Sequence, residues 1–86
     1  MINKEAGKYY IKENDVEIAD LKYTEHDDYY DVTSTFTDPD QRGRGIAKDL
    51  VDEIVKDARD ENMKIKPTCP YVKHAIRDNS YDDIRL

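Results

Sequence analysis

Two short stretches carry residues whose types and spacing could do chemistry. Arg42-Gly43-Arg44-Gly45-Ile46-Ala47-Lys48 sets two glycines among three cations, directly ahead of an amphipathic run. Cys69-Pro70-Tyr71 sets a thiol and a phenol two residues apart, with His74 three further on. A turn that opens a helix presents unpaired backbone N–H groups and the positive end of the helix dipole, which together receive an anion. Glycine lets a ligand approach the backbone without a Cβ in the way. Arginine adds paired donors suited to phosphate oxygens. A thiol serves group transfer as a nucleophile, and a phenol serves it as a proton donor.

The elements that must position these groups can be read from periodicity. Tyr9, Tyr10 and Ile11 form a short strand, and Glu13-Asn14-Asp15 a turn. Residues 16–24 alternate, with a slip of phase at Ile18-Ala19 that predicts a bulge. Residues 29–37, YYDVTSTFT, predict a third strand with Tyr30, Val32, Ser34 and Phe36 on one face. Asp38-Pro39-Asp40 ends this meander. Ala47, Leu50, Val51, Ile54, Val55 and Ala58 then recur at spacings of three and four, the clearest helix face in the chain. Glu61-Asn62 stops it. Met63 to Lys66 reads as a further strand, and Tyr71 to Arg77 as a short helix with Pro70 at its first position. The order is an α+β layer: an antiparallel sheet of early strands, a Gly-rich loop, an amphipathic helix, a further strand and a short C-terminal helix.

The bulk properties narrow the function classes. The 86 residues predict a single domain spanning 1–86. Fourteen basic against twenty acidic residues give a formal charge of −6. Such a surface repels nucleic acid and anionic membrane, so RNA binding through Arg42 to Gly45 is a poor reading. The charged helix residues Asp49, Asp52, Glu53, Lys56, Asp57 and Asp60 read most simply as a solvated face. Cys69 is the one cysteine, so no intrachain disulfide forms and a reducing compartment is expected. The first residues carry no apolar segment, and a cytoplasmic location is expected. There is no second cysteine and no close histidine pair, so no structural zinc site is expected.

Three phosphate motifs compete for the glycine turn. A Walker loop needs Gly-Lys followed by Ser or Thr, whereas here Gly45 precedes Ile46 and Lys48 precedes Asp49. The dinucleotide fingerprint needs a third glycine in a parallel βαβ unit; Lys48 stands at that position and the early strands read as hairpins. The third pattern, Arg/Gln-x-x-Gly-x-Gly/Ala, belongs to the GNAT acetyltransferases, and Arg42 to Ala47 fits it at every fixed position.

The context strengthens the match. Ala58-Arg59-Asp60-Glu61-Asn62, the strand Met63 to Lys66, Pro67-Thr68-Cys69-Pro70-Tyr71 and residues 79–84, NSYDDI, resemble a family of very small GNAT-like N-acetyltransferases. The resemblance is specific over residues 42–84 and extends to strand order alone over residues 1–37. It implies a compact acetyl-CoA-binding fold without the N-terminal part of the usual GNAT domain. It places the pyrophosphate on backbone N–H groups of residues 43–48, and the thioester between two splayed strands near Cys69. Two positions depart from the family. Ser34, Thr35 and Phe36 stand where it often has His-Thr-Glu, and Asp78-Asn79 where it has His-Pro. A base at the missing His or Glu would be absent here.

The resemblance makes acetyl-CoA the donor and an unknown amine the acceptor, with a cationic acceptor such as a polyamine or a Lys-rich protein suggested by the acidic surface. Arg42, Gly43, Arg44, Gly45, Ile46, Ala47 and Lys48 are the expected cofactor-binding residues. Cys69 and Tyr71 are the expected catalytic ones. Cys69 is read as a nucleophile, or as a pocket wall without chemistry, or as plain core. Tyr71 is read as the acid for the leaving thiolate or as an aromatic anchor. His74 could accept a proton from the amine, or be a solvated surface residue like His26. A non-catalytic CoA-binding or protein-interaction module is the competing function.

Overall fold

A computed structural model describes residues 1–86. Five strands form one sheet in chain order: β1 (Ile2–Glu5), β2 (Lys8–Glu13), β3 (Val16–Glu25), β4 (Tyr29–Thr37) and β5 (Lys64–Pro67). The first four are antiparallel, as the meander predicts, and β5 runs parallel to β4. Helix α1 (Ile46–Asp60) makes the crossover between β4 and β5, and α2 (Pro70–Ala75) follows β5. No helix is long and apolar enough to cross a membrane.

Local chemistry explains the turns. Asn14 and Asp15 both have positive φ, 53° and 63°, which suits a two-residue hairpin whose twist matches its strands. Asn62, at φ 58°, ends the α1 segment in the left-handed conformation that asparagine tolerates. The unforeseen strand is β1. It is a short polar edge, Ile-Asn-Lys-Glu, held by its pairing with residues 8–11.

Two register shifts decide which side chains face which way. In the β2–β3 ladder Ile11 pairs with Ala19 and Lys12 with Glu17, so Ile18 is the extra residue, the predicted bulge. In the β3–β4 ladder Lys22 pairs with Ser34 and Tyr23 with Val32, so Thr33 is extra. An extra residue reverses the alternation beyond it. Tyr30 and Val32 are buried under the helices, whereas Phe36 is 49% exposed. The expected single face of Tyr30, Val32, Ser34 and Phe36 is therefore corrected: beyond Thr33 the helix-side positions are Thr35 and Thr37.

The helix side holds the core. Ile46, Leu50, Val51, Ile54, Val55 and Ala58 of α1 are buried, and they pack with Ala19, Leu21, Val32, Ile65, Val72 and Ile76. The outer edge of β5 is closed by the C-terminal residues: the Ile65 N–H donates to the Ile84 carbonyl at 2.6 Å and the Leu86 N–H to the Ile65 carbonyl at 2.9 Å.

Candidate functional site

The glycine turn stands at the open end of the sheet. Pro39–Gln41 forms a single 3₁₀ turn, Gly43 has φ 90°, and Gly45 caps α1 with φ 73°. Gly45 has no side chain to cap the helix, and the first helical amide with a backbone partner is that of Asp49, which donates to the Gly45 carbonyl at 3.1 Å. The amides of Ile46, Ala47 and Lys48 stay available, as the first turn of any helix requires an outside acceptor. A Cβ built on Gly43 or Gly45 would meet nothing within 4 Å, so the space above both is open.

That space is a hollow of about 350 Å³ lined by Thr35, Thr37, Gln41, Arg42, Gly43, Gly45, Ile46, Ala47 and Tyr71. Five of the seven expected cofactor-binding residues therefore meet on one surface. The Arg44 side chain goes elsewhere: its Nη2 is 2.9 Å from Glu13 Oε2, and Gln41 holds its Nη1. Hydrogen bonding to Glu13 holds the Arg44 guanidinium above its ordinary pKa. The Lys48 ammonium lies 3.0 Å from Asp52 one turn along α1.

Behind the hollow the sheet parts. The β4–β5 ladder ends at Val32 and Pro67, one residue before the extra Thr33. β4 continues to Thr37 with no strand on that side. The backbone of the chain leaving β5 is tied back to β4 by the Cys69 N–H donating to the Val32 carbonyl at 2.9 Å, and the Thr68 hydroxyl donates to the Asp31 carboxylate beside it. Cys69 is the N-cap of α2 and 6% exposed, and its Sγ lies 3.7 Å from Thr35 Oγ1. Thr35 thus touches both the hollow and the thiol. Tyr71, 41% exposed, projects from the first turn of α2 and lines the hollow from the far side.

Tyr71 also lines a second hollow of about 230 Å³ with Lys48, Val51, Asp52, His74, Ala75, Arg77 and Tyr81. Tyr71 and His74 share a helix face, as their spacing predicts. His26 is remote from both hollows, stacked on Tyr29 at 4.4 Å. Thr37 and Gln41 escaped the sequence reading, because only the bulge at Thr33 turns Thr37 inward and nothing in residues 38–41 signals a wall.

The donors of this site suit an anion, with free amides beside two open glycines, next to a gap in the sheet that ends at a threonine and a thiol.

Comparison with known proteins agrees with this construction. No protein among the curated ones matches the chain. The ribosomal-protein-alanine N-acetyltransferase of Brucella melitensis biovar Abortus 2308 has a similar structure, with TM-score 0.61 and 17% identity, over 92% of this chain and 63% of its own. A predicted acetyltransferase with acetyl-CoA from Clostridium acetobutylicum is also similar, with TM-score 0.59 and 22% identity, over 87% of this chain and 58% of its own. The chain spans less than two thirds of the length of either, and at these identities the likeness concerns the fold. The family description "GCN5-related N-acetyl-transferase" matches residues 8–84, a span that takes in β2 to β5, both helices and the whole glycine turn. The α+β layer with its parted sheet is thus the family's fold carried by a small chain, which belongs to the GCN5-related N-acetyltransferases.

Proposed function

We propose that residues 1–86 act as one unit that binds acetyl-CoA and transfers its acetyl group to an amine. The observation that carries this reading is the meeting of Arg42, Gly43, Gly45, Ile46 and Ala47 with Thr35 and Tyr71 around one hollow, in a chain of this family. Amides above Gly43 and Gly45 take the pyrophosphate, helped by the Arg42 side chain and the α1 dipole. The backbone of Arg44 and Lys48 serves the same cradle. Acetyl-CoA supplies an activated acyl carbon. Thr35 and Cys69 form the wall beside that carbon, and the acetyl group passes to the amine without resting on the thiol. Tyr71 Oη gives a proton to the departing sulfur. The setting in this reading is the cytoplasm, where a lone thiol such as Cys69 stays reduced.

The test is release of CoA thiol from acetyl-CoA in the presence of amines: spermidine, cadaverine, a lysine-containing peptide and a peptide with a free N-terminal alanine. Saturable thiol release with at least one of them, reduced at least ten-fold by Tyr71→Phe, supports transfer. Binding of acetyl-CoA without release by any amine favours the competing reading, a CoA-binding module without chemistry. The observation in favour of that reading is that Ser34 and Phe36 offer no base in β4.

A further inference from the structure

A third hollow, of about 400 Å³, opens at the end of α1 far from the glycine turn. It shares no residue with the cofactor hollow, and α1 rises about 18 Å between Gly45 and Asp57. Tyr9, Tyr23 and Tyr30, from β2, β3 and β4, line it as a row. Their rings meet at steep angles, with centroids 5.5 Å apart at 88° and 5.2 Å apart at 71°. The row is a stepped aromatic wall rather than a flat shelf.

Most of the remaining lining is acidic. Glu5, Glu25, Asp57 and Glu61 join the rings, against one cation, Lys4. Asp57 accepts from the Tyr9 hydroxyl and Glu61 from the Tyr30 hydroxyl. Burial first, and then these hydrogen bonds, push both phenols above their usual range, so they stay neutral donors. Glu25 pairs with Tyr30 in the register of the sheet, so two carboxylates flank that ring. Of the four acids only Asp57 has an ion-pair partner; Glu5, Glu25 and Glu61 pair with no lysine or arginine. Glu61 is also the C-cap of α1, where the negative end of the helix dipole favours a cation.

Two observations select the ligand. The hollow already seats an ammonium of the protein itself. Lys4 Nζ lies 5.2 Å from the Tyr9 ring centroid and 2.7 Å from both Glu53 and Asp57. An ammonium over a tyrosine ring with carboxylates beside it gains from the ring quadrupole as well as from charge. That lysine serves the Tyr9 end and leaves the Tyr23 and Tyr30 rings without a cation. Secondly, no three acidic, imidazole or thiol groups converge as metal ligands do. The hollow therefore suits an organic cation, one whose methylenes lie on the rings while its charge stays at the rim.

We propose that this hollow binds an alkylammonium group, with its methylenes against Tyr23 and Tyr30 and its charge answered by Glu25 and Glu61. The binding needs no acetyl-CoA and takes place apart from acetyl transfer. A free diamine and a lysine side chain of another protein present the same chemistry, a run of methylenes ending in an ammonium.

The experiment is NMR on the full chain without acetyl-CoA, following tyrosine ring protons and backbone amides at constant ionic strength. The probes are cadaverine, an acetyl-Gly-Lys-Gly-amide peptide and, as the uncharged control, pentan-1-ol. Saturable shifts of the Tyr23 and Tyr30 rings are expected with cadaverine, the peptide or both, and a response to one alone identifies the source of the group. Pentan-1-ol is expected to bind about ten-fold more weakly or less. Glu25→Gln combined with Glu61→Gln, at two exposed positions, is expected to weaken amine binding about five-fold or more. Glu25→Gln alone, at a side chain with no hydrogen bond to lose, is the second variant, with a loss of about two- to three-fold. The proposal is overturned if neither amine moves the rings, if pentan-1-ol binds as tightly as cadaverine, or if folded variants bind as the parent does. Shifts at Thr35 and Cys69 without the rings, or acetylation of an amine by a parent whose rings stay unmoved, overturn this proposal and leave the transfer reading standing.

Discussion

The Cys69 N–H donates to the Val32 carbonyl at 2.9 Å, and this bond is the last backbone tie between β4 and the chain leaving β5. Val32 ends the β4–β5 pairing and Thr33 is the extra residue of β4. The bond therefore sits at the vertex of the gap in the sheet. It holds the thiol beside Thr35 whether or not the thiol reacts.

Cys69→Ala should keep this backbone bond and so keep the gap. The expected result is a folded protein with acetyl-CoA affinity within a few-fold of the parent and transfer reduced by about ten-fold or less, because the change removes one small buried contact. Intact-mass measurement on the parent with acetyl-CoA should show no acetyl adduct on Cys69. An adduct that an amine then discharges would assign the thiol a covalent role.

The two glycines should resist substitution for a reason of backbone geometry. At φ 90° and 73° a side chain is strained although the space around it is empty. Gly43→Ala and Gly45→Ala should each cost about 1–2 kcal/mol of stability. Each should also weaken acetyl-CoA ten-fold or more, since a Cβ would project into the hollow. Denaturant unfolding and calorimetry separate the two effects.

The two arginines should differ. Arg42 lines the hollow, whereas the Arg44 guanidinium faces Glu13 across the surface. Arg42→Ala should weaken acetyl-CoA by at least ten-fold through loss of a charge-assisted contact. Arg44→Ala should change affinity by less than about three-fold and stability by under about 1 kcal/mol, as for an exposed pair. Equal losses in calorimetry would contradict the observed pairing.

Much of this was legible in the sequence, and the misses share a cause. The α1 face could be read because burial of Leu50, Val51, Ile54, Val55 and Ala58 follows helix period directly. The bulge at Ile18 showed as a slip of phase in a strand of clear alternation. The bulge at Thr33 does not show, because Thr, Ser and Thr are acceptable on either face of a strand, and so the alternation puts Phe36 on one face with Tyr30 and Val32. β1 was silent because a four-residue polar edge gains its order from its partner. The pairing of Arg44 with Glu13 joins residues brought near only by the tertiary fold. Asp20, 7% exposed, is likewise a polar residue whose burial depends on the pairing of β3 with strands on both sides.

Acid should loosen the far end of α1. Burial raises the Asp57 carboxyl, but hydrogen bonds from the Lys4 ammonium at 2.7 Å and from the Tyr9 hydroxyl outweigh it and hold the group below the usual aspartate range. A depressed carboxyl contributes stability above its unfolded pKa, and this is lost as pH falls through the folded value. Unfolding free energy should therefore drop on acidification below about pH 4, and Asp57→Asn should flatten that limb. Tyr9→Phe should cost about 1–2 kcal/mol at pH 7, by leaving a partly buried carboxylate one donor short.

The central claim is that the hollow at the glycine turn holds acetyl-CoA, and backbone amide titration by NMR tests it most directly. The account predicts saturable shifts centred on Gly43 to Lys48 with acetyl-CoA, extending to Thr35 and Cys69, and shifts confined to the turn with a plain nucleotide phosphate. An amide spectrum unmoved by millimolar acetyl-CoA would contradict it, and the turn would then be only the hinge from which α1 begins.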